Sequence, residues 1–83
     1  MRELELMGTL GCHLCDLAEA VIASTVDMSE YAIYQVDIAE DDGLMETYAL
    51  TIPVVVDVVS GKTLGWPFDA HQLADFLKAL ASE

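Results

Sequence analysis

Polar and apolar residues alternate with period two through Glu3-Leu4-Glu5-Leu6-Met7, which predicts a strand with its leucines on one face. The alternation stops at Gly8-Thr9-Leu10-Gly11, where two glycines mark a loop. From Cys12 to about Thr25 the period changes, with Leu14, Leu17, Ala18, Val21 and Ile22 recurring at helical spacing. Asp16 and Glu19 fall in the early turns of that helix, where carboxylates suit its positive end. Tyr31 to Ile38 is rich in β-branched and aromatic residues and reads as a second strand. Glu40-Asp41-Asp42 then opens a short helix carrying Leu44, Met45, Tyr48 and Leu50, and the acidic run itself reads as a solvated helix start.

The apolar run from Pro53 to Val59 is broken only by Asp57 and predicts a third strand. Ser60-Gly61 is a hairpin signal, so the next strand, Lys62 to about Gly65, runs antiparallel to it. Asp69 precedes Ala70 with Gln72 three positions on, which fits a capping box. Leu73, Phe76, Leu77 and Leu80 then form the apolar stripe of a last helix. The element order is β-α-β-α-β-β-α. An early βαβ unit imposes a right-handed crossover and parallel strands, and the later hairpin adds an antiparallel pair. The expected fold is α/β, a four-stranded mixed sheet flanked by three helices.

Length and composition narrow the picture. With 83 residues the chain reads as a single domain over 1–83, and a hydrophobic content of 54% supplies its core. No apolar run approaches the ~18 residues of a membrane span. The N-terminal stretch Met1-Arg2-Glu3-Leu4-Glu5-Leu6 lacks the apolar centre of a signal peptide, so the expected location is cytoplasmic. Three basic residues against fifteen acidic ones give a net charge of -12, which repels phosphate and excludes nucleic acid as a partner. The charge serves solubility, or it steers a basic partner.

Candidate chemistry centres on Gly11-Cys12-His13-Leu14-Cys15-Asp16, which holds both cysteines of the chain. They read as a redox dithiol, as half of a metal site, or as two inert buried thiols. A closed tetrahedral metal site needs two more ligands, and His71 lies away on the last helix, so no metal is expected. Cys12 sits where a loop meets a helix, and the unpaired N–H groups of the first turn favour its thiolate. Cys15 falls about one turn later, placed to attack a mixed disulfide at Cys12. A protonated His13 would tune the pair by stabilising the thiolate further, while the Asp16 carboxylate opposes it. Met7, Met28 and Met45 read as packing residues.

Three segments resemble the glutaredoxin-like branch of the thioredoxin-fold family along nearly the whole chain. They are Gly11-Cys12-His13-Leu14-Cys15, Thr51-Ile52-Pro53, and Gly65-Trp66-Pro67-Phe68-Asp69. The resemblance implies that Cys12 is the nucleophile, that Cys15 resolves, and that a cis Pro53 packs opposite the dithiol. A cis bond there would turn the N–H and C=O of Ile52 outward to pair with an extended substrate, with Thr51 beside them. Trp66 is expected either to wall the groove or to contact the core. Asp69 is expected to cap its helix or to meet a ligand amine.

The pattern is similar to that of the small uncharacterised glutaredoxin-like proteins carrying a Trp-Pro-Phe-Asp segment. It departs from glutathione-binding members, which usually have a cation shortly before the dithiol, where Met7, Gly8, Thr9 and Leu10 stand here. No cofactor is therefore expected, and glutathione as co-substrate lacks its customary anchor. The implied activity is thiol–disulfide exchange on a disulfide-containing protein or small thiol substrate, basic by charge complementarity. The alternative is a non-catalytic thioredoxin-fold module that holds a protein or thiol ligand.

Overall fold

A computed structural model describes residues 2–82 of the chain. The elements run in the expected order: β1 (Arg2–Gly8), α1 (His13–Thr25), β2 (Tyr31–Asp37), a 3-10 turn (Ile38–Glu40), α2 (Asp42–Tyr48), β3 (Val54–Asp57), β4 (Thr63–Gly65) and α3 (Ala70–Ala81). The sheet order is β2-β1-β3-β4. β1 is parallel to β2 and antiparallel to β3, and β4 is antiparallel to β3. This is the thioredoxin-like α/β arrangement. β1 therefore ends, and β3 begins, at the same end of the sheet.

Period two in β1 sends its residues to two cores. Leu4 and Leu6 join Val55, Ala18, Ile22, Leu73, Leu77 and Leu80 between the sheet and helices α1 and α3. Met7 joins Val54, Val56 and Ile38 on the other face, under the short α2. β3 is buried along its whole length because it lies between two strands and two layers.

Four details depart from the expected pattern. The buried stripe of α1 is Cys15, Ala18 and Ile22, whereas Leu14 and Leu17 face solvent. Leu50 lies beyond the end of α2 and is fully exposed. Met28 and Met45 are surface residues, and only Met7 packs inside. β3 stops at Asp57, so that Val58 and Val59 belong to the exposed turn.

Asp57 causes that stop. Its buried carboxylate accepts from Arg2 Nε at 2.9 Å and Nη2 at 2.7 Å, and from the N–H and hydroxyl of Ser60 at 2.9 and 2.6 Å. Hydrogen bonding from the Arg2 guanidinium outweighs burial and holds the carboxyl well below the ordinary carboxylate range, with Ser60 adding to the effect. Arg2 also donates through Nη1 to the carbonyl of Leu80 at the end of α3. One pair thus ties the start of β1, the end of β3 and the end of α3 together.

Candidate functional site

Cys12 is the N-cap of α1. Its sulfur accepts a hydrogen bond from the N–H of Cys15 at 3.1 Å, filling the role a serine or aspartate oxygen usually plays. The chain reaches this position through Gly11, whose φ of 75° lies in the left-handed region that glycine enters without strain. Cys12 and Cys15 form a disulfide with their Cα atoms 5.2 Å apart. The two sulfurs are not equivalent: Cys12 is half-buried, while Cys15 lies in the core side of α1.

Gly8 explains how Cys15 fits there. A Cβ at Gly8 would stand 2.8 Å from Cys15 Sγ and 3.5 Å from its Cβ, so only a residue without a side chain allows this approach. Gly8 is the residue beside the dithiol whose part the sequence pattern does not single out. Its signal was a glycine at the end of a strand directly before a dithiol loop.

Pro53 is buried and its peptide bond with Ile52 is cis. The peptide before Pro67 is also cis. The N–H of Trp66 donates to the Pro53 carbonyl at 2.9 Å, joining the Trp66 segment to the start of β3. Trp66 is half-buried, packs against the core and meets Phe68 edge-on, with ring centroids 5.1 Å apart.

One expectation for this region is corrected by the geometry. The N–H of Ile52 does not point outward but donates to the Tyr48 carbonyl at 3.0 Å, because the chain leaves α2 in a tight turn. Thr51 is held in the same turn, its N–H and hydroxyl both donating to Tyr48. Asp69 spends its carboxylate on α3: Oδ1 accepts from the N–H of Gln72 at 2.8 Å, and Gln72 Oε1 accepts from the N–H of Asp69 at 3.0 Å. That is the capping box the sequence predicts.

His13 is exposed at the first position of α1, beside Cys12. A groove of about 280 Å³ opens between α1 and the end of β2, lined by Gly8, Cys15, Asp16, Glu19 and Asp37 among others. Among the described residues, no three His, Cys, Asp or Glu side chains converge as a metal ion would require. No helix there is long and apolar enough to cross a membrane.

Among curated proteins none matches the sequence. Solved structures do. The X-ray structure of protein XcR50 from X. campestris is similar with a TM-score of 0.81 and 38% identity, over 92% of this chain and 96% of that one. Protein Ne2328 from Nitrosomonas europaea shares the fold with a TM-score of 0.75 at 23% identity, over 90% and 89% of the two chains. A mutant thioredoxin from Halobacterium salinarum NRC-1 also shares it, at a TM-score of 0.70 and 20% identity, over 94% of this chain and 73% of that one. Residues 3–78 match the glutaredoxin-like domain family (DUF836), spanning the dithiol, the start of β3 and the Trp66 segment. The chain belongs to this glutaredoxin-like family of thioredoxin fold, and it carries a Cys12–Cys15 disulfide consistent with a redox role.

Proposed function

We propose that the protein is a thiol–disulfide oxidoreductase in which Cys12 is the nucleophile and Cys15 resolves. The observation that carries this reading is the inequality of the two sulfurs. Cys12 caps a helix at a half-exposed position, and Cys15 lies behind it against Gly8. In the reduced protein, the N–H groups of the first turn stabilise a Cys12 thiolate.

That thiolate attacks one sulfur of a substrate disulfide. The substrate S–S bond breaks, and its other sulfur leaves as a thiolate that takes up a proton. Cys15 then loses its proton and attacks Cys12 Sγ in the mixed disulfide, releasing the second substrate thiol. Two electrons have passed to the substrate, and the Cys12–Cys15 disulfide left behind is returned to the dithiol by an external thiol donor. His13, when protonated, adds positive field beside the thiolate.

Trapping tests the assignment. Reduced Cys15→Ser protein should hold a disulfide substrate as a stable adduct at Cys12, and Cys12→Ser should hold none. The alkylation rate of Cys12 against pH should show a thiol ionising below the ~8.5 of free cysteine. No adduct, together with an ordinary thiol pKa, would favour a module that binds without turnover.

A further inference from the structure

The chain has three Lys and Arg residues in all, and the topology puts every one at the end of the molecule away from the dithiol. Arg2 opens β1, Lys62 lies in the turn between β3 and β4, and Lys78 is in the last turn of α3. Their neighbourhood is joined by the bonds from Arg2 to Asp57 and to the Leu80 carbonyl, and from the N–H of Asp57 to the Lys62 carbonyl. The seven residues of β1 separate that end from the dithiol loop. At about 3.3 Å per residue this is roughly 20 Å. It exceeds two Debye lengths at physiological salt, each about 8 Å. None of the three cations can therefore draw a ligand carboxylate to Cys12.

The dithiol end carries the opposite charge and also exposed apolar side chains. Asp16 follows Cys15 in the first turn of α1, and Asp37 stands at the end of β2 across the groove. Leu10, in the loop that leaves β1, is 90% exposed, and Leu50, in the loop that enters β3, is 101% exposed. Leu14, two positions after Cys12, is 45% exposed. Covering such leucines removes apolar surface from water and so favours an apolar partner segment. A second copy of this chain would bring another -12 to the contact and is the wrong occupant.

From this arrangement we infer that the redox partner is a protein whose disulfide lies in an apolar segment bearing Lys or Arg, and that glutathione disulfide is a poor substrate. The inference rests on the oxidoreductase reading above and names its substrate class. The apolar side chains of the partner cover the exposed leucines, and its cations meet the carboxylates beside Cys15. Glutathione offers net negative charge and little apolar surface, so it gains from neither.

The test is single-turnover oxidation of the pre-reduced protein, so that the two electrons come from the Cys12–Cys15 dithiol itself. Three oxidants are compared at low and high NaCl: a disulfide peptide with leucines flanked by lysines, the same peptide with glutamates, and glutathione disulfide. The lysine peptide should react about tenfold faster or more than the glutamate peptide at low salt, with the ratio collapsing at high salt. Leu10→Ser with Leu50→Ser should slow the lysine peptide several-fold at either salt concentration. Alkylation by neutral iodoacetamide, measured on each variant, separates a damaged thiol from lost docking. Equal rates for the two peptides, or a faster reaction with glutathione disulfide, would overturn the inference and leave the oxidoreductase reading standing. Exchange with none of the three, while Cys12 still alkylates, would overturn that reading itself.

Discussion

Replacing Gly8 with alanine should make the Cys12–Cys15 disulfide easier to reduce. Gly8 lies in β1 without a positive φ, so alanine meets no backbone obstacle, and the change isolates one steric contact. The new methyl would stand 2.8 Å from Cys15 Sγ, closer than the ~3.5–4.0 Å optimum for non-bonded carbon contacts. In the reduced protein that sulfur ends a free side chain and can turn away about χ1. In the disulfide it is tied to Cys12 and cannot. The clash therefore falls mainly on the oxidised form.

Overpacking of this kind costs about 1–3 kcal/mol. For a two-electron couple, where about 1.4 kcal/mol corresponds to 30 mV, the potential of Gly8→Ala should rise by about 20–65 mV. The assay is equilibration of wild type and variant in graded glutathione redox buffers, quenching with an alkylating reagent and counting free thiols. Thermal unfolding of each form supplies the companion measurement, with the oxidised variant losing more stability than the reduced one. An unchanged or lowered potential, or equal loss in both forms, would refute the steric argument.

Arg2→Ala strands the buried Asp57 carboxylate and should cost about 3–5 kcal/mol at neutral pH, read by urea unfolding. Because the folded-state pKa of Asp57 is depressed, the pair contributes in full above the ordinary carboxylate value of about 3.9 and is lost as pH falls through the folded value, so the gap between variant and wild type should close in acid; a gap independent of pH would count against the pair as its source. Asp69→Ala should cost about 0.5–2 kcal/mol through the lost cap of α3, and Asp69→Asn or Asp69→Ser should recover most of it. If instead exchange kinetics fell with stability intact, the side chain would be a substrate contact rather than a cap.

The order of elements was legible because each rests on a local pattern. Period two marks β1, helical spacing marks α1 and α3, and Asp69 with Gln72 marks the start of α3 to the residue. The dithiol was legible for the same reason, since a loop running into a helix places Cys12 at the N-cap whatever lies beyond it. What failed depended on how the chain folds back on itself outside the regular elements. Leu14 and Leu17 belong to the helical apolar pattern, yet the inward face is set by Cys15 fitting against Gly8 across the loop. Asp57 looks like an interruption of an apolar strand, and its partner Arg2 stands 55 positions away. The Ile52 N–H was expected to face a substrate, and only the path of the chain out of α2 turns it to Tyr48.

These failures divide along the molecule in an informative way. Asp57, Arg2 and the end of α3 form the end where the chain is tied, with a buried charge whose donors are all supplied from within. The dithiol end is built of loops entering and leaving the sheet, with Gly8 fitted closely to Cys15. An ion pair at the dithiol end would have placed a cation within a few ångströms of the sulfurs, stabilising the thiolate and attracting anionic thiols together. With every Lys and Arg at the far end, stabilising the proposed thiolate falls to the helix N-terminus, a short-range effect that falls off within the first turn, and to His13 when it is protonated. On the proposed reading, Cys12 is activated without a Lys or Arg that would attract anions, and the same end of the fold, through Asp16, Asp37 and its exposed leucines, selects the partner.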